Sequence, residues 1–213
     1  MTLPDSFCFH PWVIALTGGI GSGKSSVAAW LRDNADFAYI SADAVVAALL
    51  EVGSEGWQRL HTVLRADFFS ATGQINKAEL RAAIFRDPGL RTAVEEVIHP
   101  LVLEKIKAKV AALQAQGRAR CLVEVPLLYE AGWQRYFNKV IMVYATDDVC
   151  AARLQGRDGV GVEEALAAIN VQMPLKEKMF LADYTIDNSG QWSATVVLIK
   201  KLQKELDTWM AIS

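Results

Sequence analysis

An α/β fold built on a parallel, helix-covered sheet is the class this sequence predicts, on three observations. Short apolar runs rich in β-formers recur at Trp12 to Thr17, Phe37 to Ile40, Cys121 to Val125, Val140 to Tyr144 and Tyr184 to Ile186. Mostly helical patterns separate them, and strands alternating with helices pair in parallel and are covered on both faces. The chain has 213 residues, 52% of them hydrophobic, enough for one sizeable core and short for two.

The first run passes into Gly18-Gly19-Ile20-Gly21-Ser22-Gly23-Lys24-Ser25-Ser26, a GxxxxGKS pattern, and then into the helix-forming Val27-Ala28-Ala29-Trp30-Leu31. Strand, glycine turn and helix start are what a phosphate-wrapping loop needs, because free backbone N–H groups and the helix dipole must both face the anion. In such a loop Lys24 reaches the β- and γ-phosphates and the Ser25 hydroxyl binds Mg²⁺. A glycine-rich turn that merely caps a helix is the bland alternative.

Between Ile40 and Cys121 the spacing is too long for a simple crossover. The segment reads as helices over Ala42 to Leu50, Ser54 to Phe69, Lys77 to Phe85 and around Leu90 to Gln116, an insertion that could enclose an acceptor. His99-Pro100 predicts a break or kink in the last of these, since proline removes a helix hydrogen bond and clashes with the preceding turn. Further helices are expected over Asp147 to Gln155, Val162 to Gln172 and Leu175 to Leu181, with the glycine-rich Arg157-Asp158-Gly159-Val160-Gly161 as a candidate hinge. Leu198, Leu202, Leu206 and Trp209 form a helical stripe expected to pack on the sheet.

A formal net charge of −2 gives no global electrostatic case for nucleic acid or membrane. Met1 to Trp12 contains no Lys or Arg, no secretory core is evident and no run approaches a membrane span. Three cysteines, Cys8, Cys121 and Cys150, without CxxC spacing suit free thiols in a reducing compartment, so the cytoplasm is expected.

Phosphoryl transfer asks for charge neutralisation, an in-line acceptor and exclusion of water. Asp43, just past the second strand, could take an acceptor proton or hold Mg²⁺ through water, and could equally be a helix N-terminal charge. Arg153 and Arg157, four apart beside the glycine-rich loop, could close over a triphosphate; a solvated face paired with Asp147, Asp148 and Asp158 is the alternative. Asn188, after the last strand, could line an adenine pocket or end an ordinary turn. Glu124 could hold hydrated Mg²⁺, and Glu130 could position an acceptor or cap a helix. His99 before proline is commonly structural. Arg81 could meet an anionic acceptor or be a surface cation.

Taken together, ALTGGIGSGKSSVA, SADAVVAALL, LRAAIFRD followed by VIHPLV, VPLLYEAGW, RLQGRDG and VQMPLKEKMFLADYTIDNSG resemble the dephospho-coenzyme A kinase family over nearly the whole chain. The resemblance implies a three-layer P-loop kinase fold with a parallel five-stranded sheet. It places the nucleotide core at about 12–40, 120–150 and 183–213, a helical acceptor-binding insertion at about 42–118, and a lid at about 150–182. It implies ATP-dependent phosphorylation of the ribose 3′-hydroxyl of dephospho-CoA, giving CoA and ADP, the last step of CoA synthesis, with Mg²⁺.

Carried over by position, Gly19, Gly21, Ser22, Gly23, Lys24, Ser25 and Ser26 bind the ATP phosphates, and Ser25 is the metal ligand. Asn188 lies near adenine, Asp43 is the base, and Lys24, Arg153 and Arg157 complete the catalytic set. Asp43, Arg81, His99 and Glu130 are the acceptor-side candidates. The expected partners are ATP and dephospho-CoA, with neither nucleic acid nor membrane, in a monomer or small homo-oligomer.

Three positions depart from the family's pattern. Ser41 replaces the first Asp of a DxD segment, Ala47 stands where an Arg commonly follows, and Cys150 replaces a frequent Gln. Loss of a buried anion contact at Ala47 would weaken acceptor binding by about 1–3 kcal/mol. A P-loop kinase for another small acceptor, or a weakened CoA- or nucleotide-binding protein, are the competing readings.

Overall fold

The computed structural model describes residues 12–118 and 120–212; Cys8 lies outside them. Five strands form one parallel sheet: β1 (Val13–Gly18), β2 (Ala38–Ser41), β3 (Cys121–Glu124), β4 (Lys139–Tyr144) and β5 (Tyr184–Asp187), in the order β2-β3-β1-β4-β5. Each falls within a residue or two of its apolar run. β1 and β3 are buried along their length, as central parallel strands must be when both faces are covered.

The helices are α1 (Lys24–Asn34), α2 (Ala42–Leu49), α3 (Glu55–Leu60), α4 (Lys77–Arg86), α5 (Pro88–Ala115), α6 (Asp147–Asp158), α7 (Val162–Asn170), α8 (Leu175–Leu181) and α9 (Trp192–Ile212). Two compact units emerge: Ala42–Lys109, which is helical, and the described residues on either side of it, which carry the sheet. In the sheet unit Ile14, Leu16, Leu122, Ile141, Val143 and Ile186 form one core with Val27 and Leu31 of α1 and Ile199, Leu202 and Leu206 of α9.

Three expectations are corrected. Ser54 to Phe69 is not one helix: α3 ends at Leu60, and a short 3₁₀ turn, Ala66–Phe68, follows. The His61 and Phe69 rings stack at 3.8 Å, and Phe69 bridges to Ile75. In a single helix those residues would sit about 12 Å apart along the axis. Pro100 does not break α5, which runs 28 residues through it. Ile98, Leu101, Val102, Leu103 and Ile106 are all buried around the proline, so packing on both sides offsets one lost hydrogen bond.

The α9 stripe is shifted. Leu198 is exposed, and Ile199 with Thr195 takes the inward position ahead of Leu202 and Leu206. Trp209 packs against the same core and meets Trp12 edge-on at 4.0 Å.

Candidate active site

The phosphate loop grows out of β1, whose last residue pairs with Val143 of β4. Gly23 caps α1 in the left-handed region, at φ 88°, with no side-chain cap bond, which leaves first-turn amides for an anion. A Cβ at Gly23 would collide with the Asn188 side-chain amide, and at Gly21, φ 76°, with the Cys150 carbonyl oxygen at 2.8 Å. Both positions therefore need glycine twice over, for dihedral and for space. Lys24 Nζ donates to the carbonyls of Gly18 at 3.0 Å and Gly19 at 2.9 Å, so its charge rests on the rim of the loop.

Behind the loop the side chains lock it in place. Arg153, from α6, donates to Gly21 O at 3.2 Å, Ser22 O at 3.3 Å and Asn188 O at 2.8 Å. Asn188 is buried, donates Nδ2 to Ser22 O at 2.8 Å and accepts from Thr195 Oγ1 at 2.9 Å. Arg153 and Asn188 thus hold loop carbonyls outward, which turns the loop's N–H groups the other way. Arg157, one turn on in α6, is exposed and bonded to Asp158 at 2.7 Å. That bond holds the Asp158 carboxyl below its ordinary range.

The candidate hinge between the arginines and α7 resolves into caps. Gly159, left-handed at φ 69°, closes α6, and Gly161 precedes α7. Arg157 and Asp158 belong to the helix itself.

An acid meets the loop from β3. Glu124 is 7% exposed, pairs in register with Ser41 of β2, and accepts from Ser25 Oγ at 3.1 Å and from Tyr39 OH at 2.5 Å. Two hydroxyl donors hold this buried carboxylate, one from α1 and one from β2. Ser25 and Glu124 together offer the hard oxygen donors Mg²⁺ takes, few in number as is usual when phosphates supply the rest. No group of three or more His, Cys, Asp or Glu able to hold a metal occurs among the described residues.

Glu130, an exposed residue, is engaged within the sheet unit. Its Oε1 accepts from the Met173 amide at 3.1 Å and lies 2.6 Å from Lys178 Nζ, a side chain only 1% exposed. Cys150 is buried against the Ala145 carbonyl, and Cys121 is buried with its thiol pushed up to about 12, so both are shielded thiols.

In the helical unit, Asp43 sits in the first turn of α2, and Ala47 follows one turn later; both are exposed. Arg81 is exposed on α4. His99, in α5, is half-buried, and desolvation holds its imidazole below the usual value, with Glu95 opposing. Tyr39, Gln172 and Lys178 were not evident from sequence as site residues. The VQMPLKEK string contains the last two, but no spacing rule says which residue a loop amide will meet.

A model of the dephospho-CoA kinase family matches residues 12–194. A dephospho-CoA kinase of Geobacillus kaustophilus is 34% identical over 194 residues, covering 91% of this chain and 96% of that protein. One from Desulfotalea psychrophila is 39% identical over 183 residues, covering 85% and 91%. Among solved structures, a Thermus thermophilus protein superposes with a TM-score of 0.80 at 31% identity, covering 93% of this chain and 99% of the other. The Campylobacter jejuni dephospho-CoA kinase gives 0.65 at 25%, covering 91% and 96%. A shikimate kinase from Acinetobacter baumannii, at 17% identity and a TM-score of 0.54, shares the fold. With a P-loop kinase fold, an intact phosphate loop and relatives of this name along most of its length, the chain belongs to the dephospho-CoA kinase family.

Proposed function

We propose that this chain transfers the γ-phosphoryl group of ATP to the ribose 3′-hydroxyl of dephospho-CoA, releasing ADP and CoA in the last step of CoA synthesis. The observation that carries this reading is the family match across residues 12–194 together with a phosphate loop that keeps Lys24 and Ser25. ATP and dephospho-CoA are its small-molecule partners. Two buried thiols and the net charge of −2 support a cytoplasmic protein without nucleic-acid or membrane partners. No helix among the described residues is long and apolar enough to cross a membrane.

In this account the triphosphate sits on amides of the phosphate loop and of the open start of α1, those of Gly23, Lys24 and Ser25 among them. Lys24 exchanges its carbonyl partners for phosphate oxygens, a charged acceptor in place of neutral ones. Ser25 and Glu124 would hold Mg²⁺, which would supply charge neutralisation on the phosphates when bound. Arg157 leaves Asp158 and closes on the transferring group, an exchange made cheap by the exposure of that ion pair. Asp43 takes the 3′-hydroxyl proton as the oxygen attacks phosphorus and the bond to the ADP oxygen breaks. Ala42–Lys109 supplies the acceptor side, with Arg81 and His99 as its polar candidates, and residues 150–182 form the lid.

Asn188 and Arg153 support the loop from behind, with Asn188 on the adenine side. Glu130 contributes through Lys178 and Met173. The reading is tested by ADP release across a panel of hydroxylated acceptors. Dephospho-CoA alone is expected to give saturable turnover. A different acceptor doing so instead would assign the loop to another kinase reaction, and ligand binding with no turnover would assign it to the weakened binding protein that Ser41 and Ala47 motivate.

A further inference from the structure

The connection between α7 and α8, residues 171–174, is fastened at its two middle residues to the phosphate loop and to the segment that follows β3. Gln172 Oε1 accepts the Ile20 amide of the phosphate loop at 2.9 Å. The neighbouring Met173 amide donates to Glu130 Oε1 at 3.1 Å. The same oxygen is 2.6 Å from Lys178 Nζ, close enough for an ion pair although the alignment is not that of a hydrogen bond. Lys178 is 1% exposed, and a buried ammonium must keep its partner. The first turn of α8 and the strap before it are therefore fixed to the segment that follows β3.

What Gln172 does with that fixity is decided by its surroundings. A cavity of about 360 Å³ opens here, lined among others by Gly19, Ile20, Gln172, Met173, Pro174 and Lys178. The outer turn of the phosphate loop thus borders open space, and packing alone cannot set its course. A hydrogen bond to Ile20 N–H adds what packing lacks, because it holds the N–H end of the peptide whose Gly19 carbonyl end accepts from Lys24 Nζ and the Ser22 amide, and it stays when Lys24 turns to a phosphate. Ile20 N–H is also consumed by this bond, so it is not among the amides left for the anion.

We propose that Gln172 is a positioning residue for the phosphate loop. Its side-chain carbonyl holds the Ile20 peptide so that the downstream amides are already turned toward the nucleotide, and the Glu130–Lys178 pair holds Gln172 in place. The three family-resembling strings around residues 18–26, 123–133 and 171–188 thereby meet in one network without touching the reacting atoms. The inference rests on the loop's being the ATP site.

The test uses the full chain labelled with ¹⁵N-isoleucine, reading Ile20 amide exchange by NMR and ADP affinity by calorimetry, without turnover. Gln172→Met keeps length and volume and removes the acceptor. Ile20 exchange is expected to rise by at least about tenfold, and the ADP Kd by about two- to tenfold. Gln172→Glu restores an acceptor of the same length and should return Ile20 to wild-type protection; it carries the test alone if Gln172→Met does not fold.

Wild-type exchange and ADP affinity in Gln172→Met would overturn the proposal, as would an unprotected Ile20 in Gln172→Glu. A wild-type protein that binds no ADP would instead sink the nucleotide reading, and one that binds ADP without making CoA would sink only the assigned reaction.

Discussion

Ser25 Oγ donates to Glu124 Oε1 across 3.1 Å, tying the first turn of α1 to the end of β3. Tyr39 donates to the other carboxylate oxygen at 2.5 Å, so this acid beside the phosphate loop is held from one helix and one strand. Ser41, where the family's pattern has an acid, is the β2 residue in register with Glu124. One carboxylate therefore occupies a place where two would repel, and a hydroxyl steadies it.

Glu124→Gln removes the charge and keeps one acceptor oxygen; its amide nitrogen donates, so one of the two hydroxyls must turn to accept. The Mg²⁺ concentration for half-maximal turnover is expected to rise by about tenfold, equivalent to about 1.4 kcal/mol, with thermal stability little changed. A magnesium titration checks it, and an unshifted curve would assign metal holding elsewhere.

The two lid-side arginines should separate cleanly. Arg153→Met removes three bonds to loop and Asn188 carbonyls, each involving a charged donor. ATP KM is expected to rise by roughly tenfold or more, with a lower Tm. Arg157→Met removes one exposed ion pair, so Tm should move by less than about 2 °C. Its kcat should fall by on the order of 100-fold or more, because its task arises in the transition state. Thermal melts and steady-state kinetics on both variants decide this.

Asp43→Asn preserves size and polarity in the first turn of α2. A base lost from the reaction lowers kcat by on the order of 10²- to 10⁴-fold and leaves ATP binding within about twofold. Parallel losses in kcat and ATP affinity would give Asp43 a structural or metal-side role.

His99 makes stability depend on pH in a stated direction. Burial depresses its folded-state value, so the unfolded chain binds the proton more readily. Stability is intact above the unfolded value of about 6.5 and declines as pH falls through the folded value. His99→Gln should flatten the Tm profile between about pH 7 and 5; an unchanged slope would place the acid sensitivity on other groups.

The sheet and the phosphate loop were legible because their signals are local: buried strands read as apolar runs, and glycine spacing encodes the turn. Pro100 misled because its local cost is real but smaller than the burial of Ile98, Leu101, Val102 and Ile106 beside it. Leu198 and Ile199 are equally apolar, and only the sheet's position decides which turns inward. Arg153 and Glu130 carry charges that suit a ligand, yet their partners in this fold are Gly21, Ser22, Asn188, Met173 and Lys178, most of them distant in sequence. Side-chain type announces a capacity for bonding, and the tertiary fold selects the partner.

Incubation of the purified chain with ATP, Mg²⁺ and dephospho-CoA, followed by mass spectrometry of the CoA pool, tests the central claim most directly. The account predicts CoA accumulating in step with ADP and lost in a Lys24→Ala variant. No CoA above the level given by that variant would contradict it.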